Sequence, residues 1–221
     1  MHLVVSVGVL ASAFALPLKA QEPLPVSLGR GACRSIQNTQ ECAQAIEVRQ
    51  LRRGAGRARR MGGVLQLRID NGRWLPIPHD STAEWPSWFQ YLGYVRSINY
   101  YVLWQQHPEG NSIRLVNARN GKATSVDDMP IVSPDHKRFV TASLDLQAGF
   151  NPNRLTVWRL KSDTVVQEAS FAADDWGPDS AAWLTTTSLR FARVAQSEDG
   201  SLRAVARDTV RFVHGKWRIG R

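Results

Sequence analysis

The sequence predicts an all-β chain with a short helix near its N-terminus, and three observations carry that reading. From Leu65 onward, apolar residues alternate with polar ones in short runs, the period of a strand with one buried face. Turn pairs close these runs at Asn71-Gly72, Asn120-Gly121 and His214-Gly215, with Ser162-Asp163 as a looser version. The strand–turn–strand unit also recurs, beginning at Leu65, Ile113, Leu155 and, more faintly, Val205. A recurrence every ~40–50 residues is the spacing of units that carry four short strands each.

Taken from the start, residues 1–20 form an apolar run ending Leu18-Lys19-Ala20, which reads as a secretory signal peptide cleaved after Ala20. No later segment approaches the ~18 apolar residues that a membrane span needs. The chain is therefore expected in the periplasm or outside the cell. Two cysteines follow, Cys33 and Cys42, and an even count in an exported chain favours a disulfide between them. From Thr39, apolar residues at Ala43, Ala45, Ile46, Val48 and Leu51 follow a helical pattern, with Asn38 or Thr39 as its cap and Glu41 near the positive end of its dipole. The bridge would tie this helix to the segment before it.

Six arginines then fall close together: Arg49, Arg52, Arg53, Arg57, Arg59 and Arg60. Planar guanidinium forks bond phosphate or carboxylate oxygens in pairs, so the stretch is a candidate contact for an envelope phosphate, an anionic membrane face or an acidic partner protein. The competing reading is a charged, solvated linker, released into the first strand at Gly62-Gly63. The net charge of +9 is spread along the chain and leans towards acidic partners. Nucleic acid is not expected, because no recognition module is visible and export removes the usual encounter.

The strands follow. Ile113, Leu115 and Asn117 alternate with Arg114, Val116 and Ala118 before the Asn120-Gly121 hairpin, and Pro130 breaks the next run because it cannot donate to a ladder. Ser133-Pro134-Asp135 is a turn in which proline fixes φ and Asp135 bonds a nearby N–H. Phe139 to Leu144 is a short apolar strand of the kind buried on both faces, and Asn151-Pro152-Asn153 turns the chain into Leu155–Leu160. Ser133-Pro134-Asp135 followed by Lys137-Arg138-Phe139-Val140, and more weakly Gly177-Pro178-Asp179 before Ala182-Trp183-Leu184, resembles the blades of WD40-like and TolB-like β-propellers. The resemblance covers about residues 64–219. It implies a small or partial β-propeller-like array of antiparallel sheets with about four blades, where those families carry six to eight. A small closed ring, an open arc, or the same hairpins rolled into a sandwich or barrel all fit. The division expected is a signal peptide over 1–20, a helix and arginine-rich linker over 21–63, and the β-rich domain over 64–221.

No catalytic signature appears. The sequence has no H-E-x-x-H, no G-x-S-x-G, no phosphate loop, no dinucleotide fingerprint and no calcium loop, so neither a metal nor a cofactor is expected. Three loops carry candidate ligand contacts. Asp145, Asn151, Asn153 and Arg154 surround Gly149-Phe150 and suit a small polar ligand; alternatively the asparagines shape the turn and Asp145 pairs with Arg154. Asp174, Asp175 and Trp176 suit a sugar ring stacked on indole, or an ordinary turn joining two sheets with its Trp in the core. Trp85 and Trp88 belong to an aromatic run, Glu84 to Tyr94, that is either an exposed binding platform or packing between sheets.

The function expected is a non-enzymatic interaction module that binds a protein or envelope polymer through loops on one face of the scaffold. Two alternatives stand beside it. One is a glycan hydrolase using Asp145, Asp174 or Asp175 as acid and base. The other is a polyanion binder acting through Arg52, Arg53, Arg57, Arg59 and Arg60.

Overall fold

The structure, a computed structural model, describes residues 38–54, 56–79 and 86–220. The expected signal peptide, Cys33 and Trp85 lie outside the described residues. The first element is helix α1 (Thr39–Arg53), capped by Asn38, whose Oδ1 accepts from the backbone N–H of Gln40 at 2.8 Å and of Glu41 at 3.2 Å. Its inner face buries Cys42, Ala43, Ile46, Glu47 and Gln50. Among the described residues no cysteine is free, and no complete bridge is contained there either.

Among the described residues, fifteen strands then form four antiparallel sheets, taken in order along the chain. The first holds β1 (Ala58–Met61), β2 (Val64–Arg68) and β3 (Trp74–Ile77). The second holds β4 (Trp88–Val95), β5 (Tyr100–Gln106), β6 (Asn111–Asn117) and β7 (Ala123–Val126). The third holds β8 (Ile131–Val132), β9 (Arg138–Ser143), β10 (Arg154–Leu160) and β11 (Val165–Ala172). The fourth holds β12 (Gly177–Thr185), β13 (Ser188–Gln196), β14 (Leu202–Val213) and β15 (Lys216–Gly220). Every pairing joins sequence neighbours, so each sheet is a meander.

The four recurring hairpins of the sequence are the last two strands of the four sheets: β2–β3, β6–β7, β10–β11 and β14–β15. Gly72 and Gly121 hold φ of 85° and 76°, the left-handed conformation that makes Asn-Gly a hairpin turn. The Ser133 turn also forms as the sequence implies. Its hydroxyl donates to the Asp135 carboxylate at 2.7 Å and accepts the Arg138 N–H at 3.0 Å, which places β8 beside β9.

Period-two alternation sends opposite residues of the two central sheets into different cores. On the second sheet, Tyr91, Tyr101, Leu103 and Val116 face Leu65 and Leu67 of the first. Its other face, with Leu92, Val102, Trp104 and Leu115, packs with the helix residues Ala43 and Ile46 and with Phe139, Trp158 and Val165 of the third. The third sheet then turns Val140, Leu155 and Val157 towards Leu189, Phe191, Val210 and Trp217 of the fourth. Tyr100 and Tyr101 accordingly enter different clusters, as alternate members of one strand must. Burial of this kind contributes ~1.5–3 kcal/mol per large apolar side chain.

Three expectations are corrected. Residues 58–61 are not linker: Arg59 and Arg60 sit in β1, paired with Gln66 and Leu65, and Gly62-Gly63 is the β1–β2 hairpin turn. Among the described residues, the first sheet has three strands rather than four. Gly177-Pro178-Asp179 is not a turn but the start of β12, at the edge of its sheet, where proline loses no ladder bond on its open side. A Cβ at 177 would press on the end of the Leu144 side chain and lie 3.0 Å from Asn153 Oδ1, so a larger residue there needs Leu144 to move.

Candidate functional site

The loop residues chosen from the sequence come together, but to hold one another. Asp145 accepts from the backbone N–H of Ala148 at 3.1 Å, of Phe150 at 3.0 Å and of Asn151 at 2.9 Å. Burial would raise its carboxyl, but the backbone donors, that of Asn151 foremost, outweigh it and hold the group below the usual carboxylate range. Asn153 Oδ1 accepts the Asp145 N–H at 2.7 Å, and Asn151 Oδ1 accepts that of Asn111 at 3.1 Å. Arg154 does not pair with Asp145. It forms a bidentate pair with Asp127, both contacts at 2.6 Å.

The Asp174-Asp175 turn leaves both carboxylates exposed. Trp176 turns inward, with its ring 5.7 Å from Phe191 and the Arg193 guanidinium 4.6 Å above it. Trp88 opens β4 half-buried, while Tyr91 and Tyr94 of the same aromatic run are core. Of that run, Phe89, Tyr91 and Tyr94 pack between the first two sheets, and Leu92 packs on the opposite face of the second.

The arginine stretch is largely consumed inside the fold. Arg60 grips both oxygens of buried Glu47 on α1 and donates to the carbonyls of Phe89 and Gly63, each at 2.6 Å. Glu47 also accepts the Tyr91 N–H at 2.7 Å, so one carboxylate joins helix, first sheet and second sheet. Arg57 lies 4.1 Å over the Tyr94 ring, and Arg59 lies 3.9 Å over Trp74 while bonding Gln66 at 2.9 Å. Arg49 bonds the Ala45 carbonyl at 3.3 Å. Arg52 and Arg53 stand exposed at the helix end.

A different basic surface is assembled by register. Leu189, Phe191, Val210 and Trp217 point from the fourth sheet into the core, so the residues between them point outward. Those are Arg190 on β13, Arg207 and Arg211 on β14 and Arg218 on β15, all exposed. Arg211 stands directly opposite Arg218, and Arg207 stands opposite Ala192, diagonal to Arg190. None of the four has an ion-pair or hydrogen-bond partner among the described residues. Neighbouring arginines differ. Arg203 is bound by Asp199 at 2.7 Å, and Arg193 points inward to buried Asp208. Asp179 of β12, the strand paired with β13, lines the same end of this face.

At one end of this face lies a recess of about 290 Å³, lined by Asp179, Ser180, Arg190, Phe191, Ala192, Ala204 and Arg207. Register shifts between Asp179 and Ala182 and between Arg193 and Val194 shape it, and Ser180 takes a left-handed φ of 53° there. Bulges of this kind bend a strand and re-aim its side chains. Sequence reasoning missed the face because its members are far apart in the chain. The available signal was Arg207 and Arg211, which share one face of a strand with Thr209, opposite Asp208 and Val210.

Among the described residues, no cluster of His, Cys, Asp and Glu has the arrangement of a metal site, and no helix is long and apolar enough to cross a membrane. No protein-family model matches the chain, and no curated protein sequence shows significant similarity to it.

Proposed function

We propose that the chain is a non-catalytic binding module of the periplasm or cell exterior, built as an open propeller-like array, whose fourth sheet docks an acidic protein. The observation that carries this reading is four outward guanidiniums on one sheet face without an internal counter-charge. Like charges directly opposite one another on a sheet weaken it, so an acidic surface laid on this face relieves a repulsion the fold leaves in place. Arginine suits that role because its fork bonds carboxylates bidentately.

A protein fits better than an envelope polymer because apolar surface is interleaved with the charge. Leu184, Val205 and Val213 of the same sheet are 50%, 62% and 40% exposed. Protein interfaces combine arginine with apolar area in this way, whereas a purely phosphate-bearing polymer makes no use of aliphatic neighbours. The array supports the propeller-like part of the reading: consecutive meanders stack face on face, and the fourth sheet keeps its outer face open. Asp145, half-buried and held by its own loop, and the exposed Asp174 and Asp175 give glycan hydrolysis no comparable support.

The test is a titration at pH 7.5 with poly-L-glutamate, followed by fluorescence anisotropy at several salt concentrations. R190Q/R207Q/R211Q/R218Q is compared with R52Q/R53Q/R73Q/R119Q, which removes the same number of charges from other exposed sites. The face variant is expected to bind at least ~tenfold more weakly than the control variant, a difference of ~1.4 kcal/mol. Equal weakening in both would reduce the effect to net charge and sink the reading. Tighter binding of polyphosphate or of phosphatidylglycerol vesicles than of poly-L-glutamate, lost in the same face variant, would replace the acidic protein with a phosphate-bearing partner.

A further inference from the structure

We infer that the recess in the fourth sheet is an anchor pocket for one Asp or Glu side chain of the acidic partner, held between Arg190 and Arg207. This rests on the docking reading above and adds to it a position and a selectivity.

The recess lies across three strands, and its composition is uneven. Its apolar lining comes from Ala192, Ala204 and Phe191, the last a residue whose ring belongs to the core. Two of its walls are the Arg190 and Arg207 side chains, which stand at diagonal positions of adjacent strands. Diagonal cross-strand neighbours are ~7–8 Å apart, within reach of a single ligand carboxylate placed between two long side chains. The third wall is the β12 bulge, where the Ser180 hydroxyl lies 3.1 Å from Asp179 Oδ2. A left-handed φ at a non-glycine residue inside a strand is an unusual conformation, and such residues gather where a backbone is shaped around a ligand.

Size and charge choose the occupant. A volume of about 290 Å³ lies at the lower end of small-ligand cavities, enough for the end of one side chain but not for a length of polymer. The walls bring two guanidiniums and one carboxylate, a local excess of one positive charge. That excess matches a monoanionic carboxylate. A phosphate dianion would meet Asp179 with one charge too many. Arg211 and Arg218 lie outside the recess and supply the wider field that brings an acidic surface to it.

The experiment separates pocket from face. Poly-L-glutamate is titrated against R190Q/R207Q and, in parallel, against R211Q/R218Q, with circular dichroism and melting curves to establish that both fold. The pocket pair is expected to lose roughly tenfold more affinity than the field pair. Equal losses would overturn the pocket and leave the docking face standing; no loss in either would overturn the face itself. Selectivity is read independently with small probes, sodium acetate and inorganic phosphate, by NMR shifts of the Arg190 and Arg207 Nε–H groups. Acetate is expected to shift both signals in the parent protein, and D179N is expected to move the preference towards phosphate. A preference unchanged in D179N, or shifts spread evenly over all exposed arginines, would remove the charge-matching argument.

Discussion

Two regions of this molecule are rich in arginine and put it to opposite uses. In the first, residues 49–60, the charges are adjacent in the chain and three of them are spent on internal contacts: Arg60 on Glu47, Arg57 on Tyr94 and Arg59 on Trp74. In the second, the outer face of the fourth sheet, the charges come from three strands and meet no internal partner. Density of charge along a sequence is therefore a poor guide to availability. Arg60 meets a buried carboxylate and two carbonyls, and Arg57 and Arg59 meet rings; the four on the outer face of the fourth sheet, Arg218 on its edge strand among them, point away from the core.

The sharpest way to break the comparison is at Arg60. Replacing it with Ala leaves Glu47 buried without its partner, and removing one member of a buried ion pair costs ~3–5 kcal/mol. Urea denaturation should show that loss, together with a loosening of α1 against β4, while R207Q at the open face should leave the midpoint within ~0.5 kcal/mol of the parent. Equal, small effects at both positions would erase the distinction between a structural and an available arginine.

The next effect concerns the carboxylates near the second region. Burial pushes the Asp128 carboxyl up to about 6, against the Met129 N–H that favours its charged form, with Asp127 and Asp179 adding to the rise. The sign follows directly. The folded state holds this proton more tightly than the unfolded chain, so the group's stabilising contribution is complete below pH ~4 and is lost as pH rises through about 6. The span is at most about 3 kcal/mol. D128N should remove that step and be the more stable protein at pH 7. A step of undiminished size in D128N would assign it to other groups. Glu168 moves oppositely: burial would raise its carboxyl, but bonds from Arg138, Trp217 and Arg159 outweigh that and lower it, so its contribution is lost only in acid, below the ordinary carboxylate range.

How far the sequence could be followed depends on how local each determinant is. The hairpins were legible because Asn-Gly and Ser-Pro-Asp act within four or five residues, and the Asn38 cap acts within three. Strand β1 was not legible, because a run of arginines masks a pairing that depends on Leu65 and Leu67 across the turn. Gly177-Pro178-Asp179 has turn composition but pairs with Val194, Arg193 and Ala192 of β13, residues remote in the chain. The partner of Arg154 is Asp127, far upstream, rather than the nearby Asp145, whose oxygens its own loop had already taken. The outer face lay furthest from view. Its existence requires both the register of β13, β14 and β15 and the knowledge of which side the third sheet covers.

The smallest effects discriminate most finely, because they predict opposite signs for the same residue type. Arg59 stacks on Trp74 at an exposed edge, where a cation–π contact contributes ~0.5–1 kcal/mol, so Arg59→Ala should lower stability by about that amount. Arg211 faces Arg218 across the ladder, and replacing it with Thr, a residue of good strand propensity, removes a repulsion. Arg211→Thr should therefore raise the melting midpoint slightly, by a few tenths of a kcal/mol at roughly 10 mM salt, with the gain shrinking in high salt as screening removes the repulsion from both proteins. A gain in stability would support the docking role proposed for this face. A loss of stability in Arg211→Thr would mean that the side chain is held by the sheet after all, and the fourth face would then resemble the first region rather than oppose it.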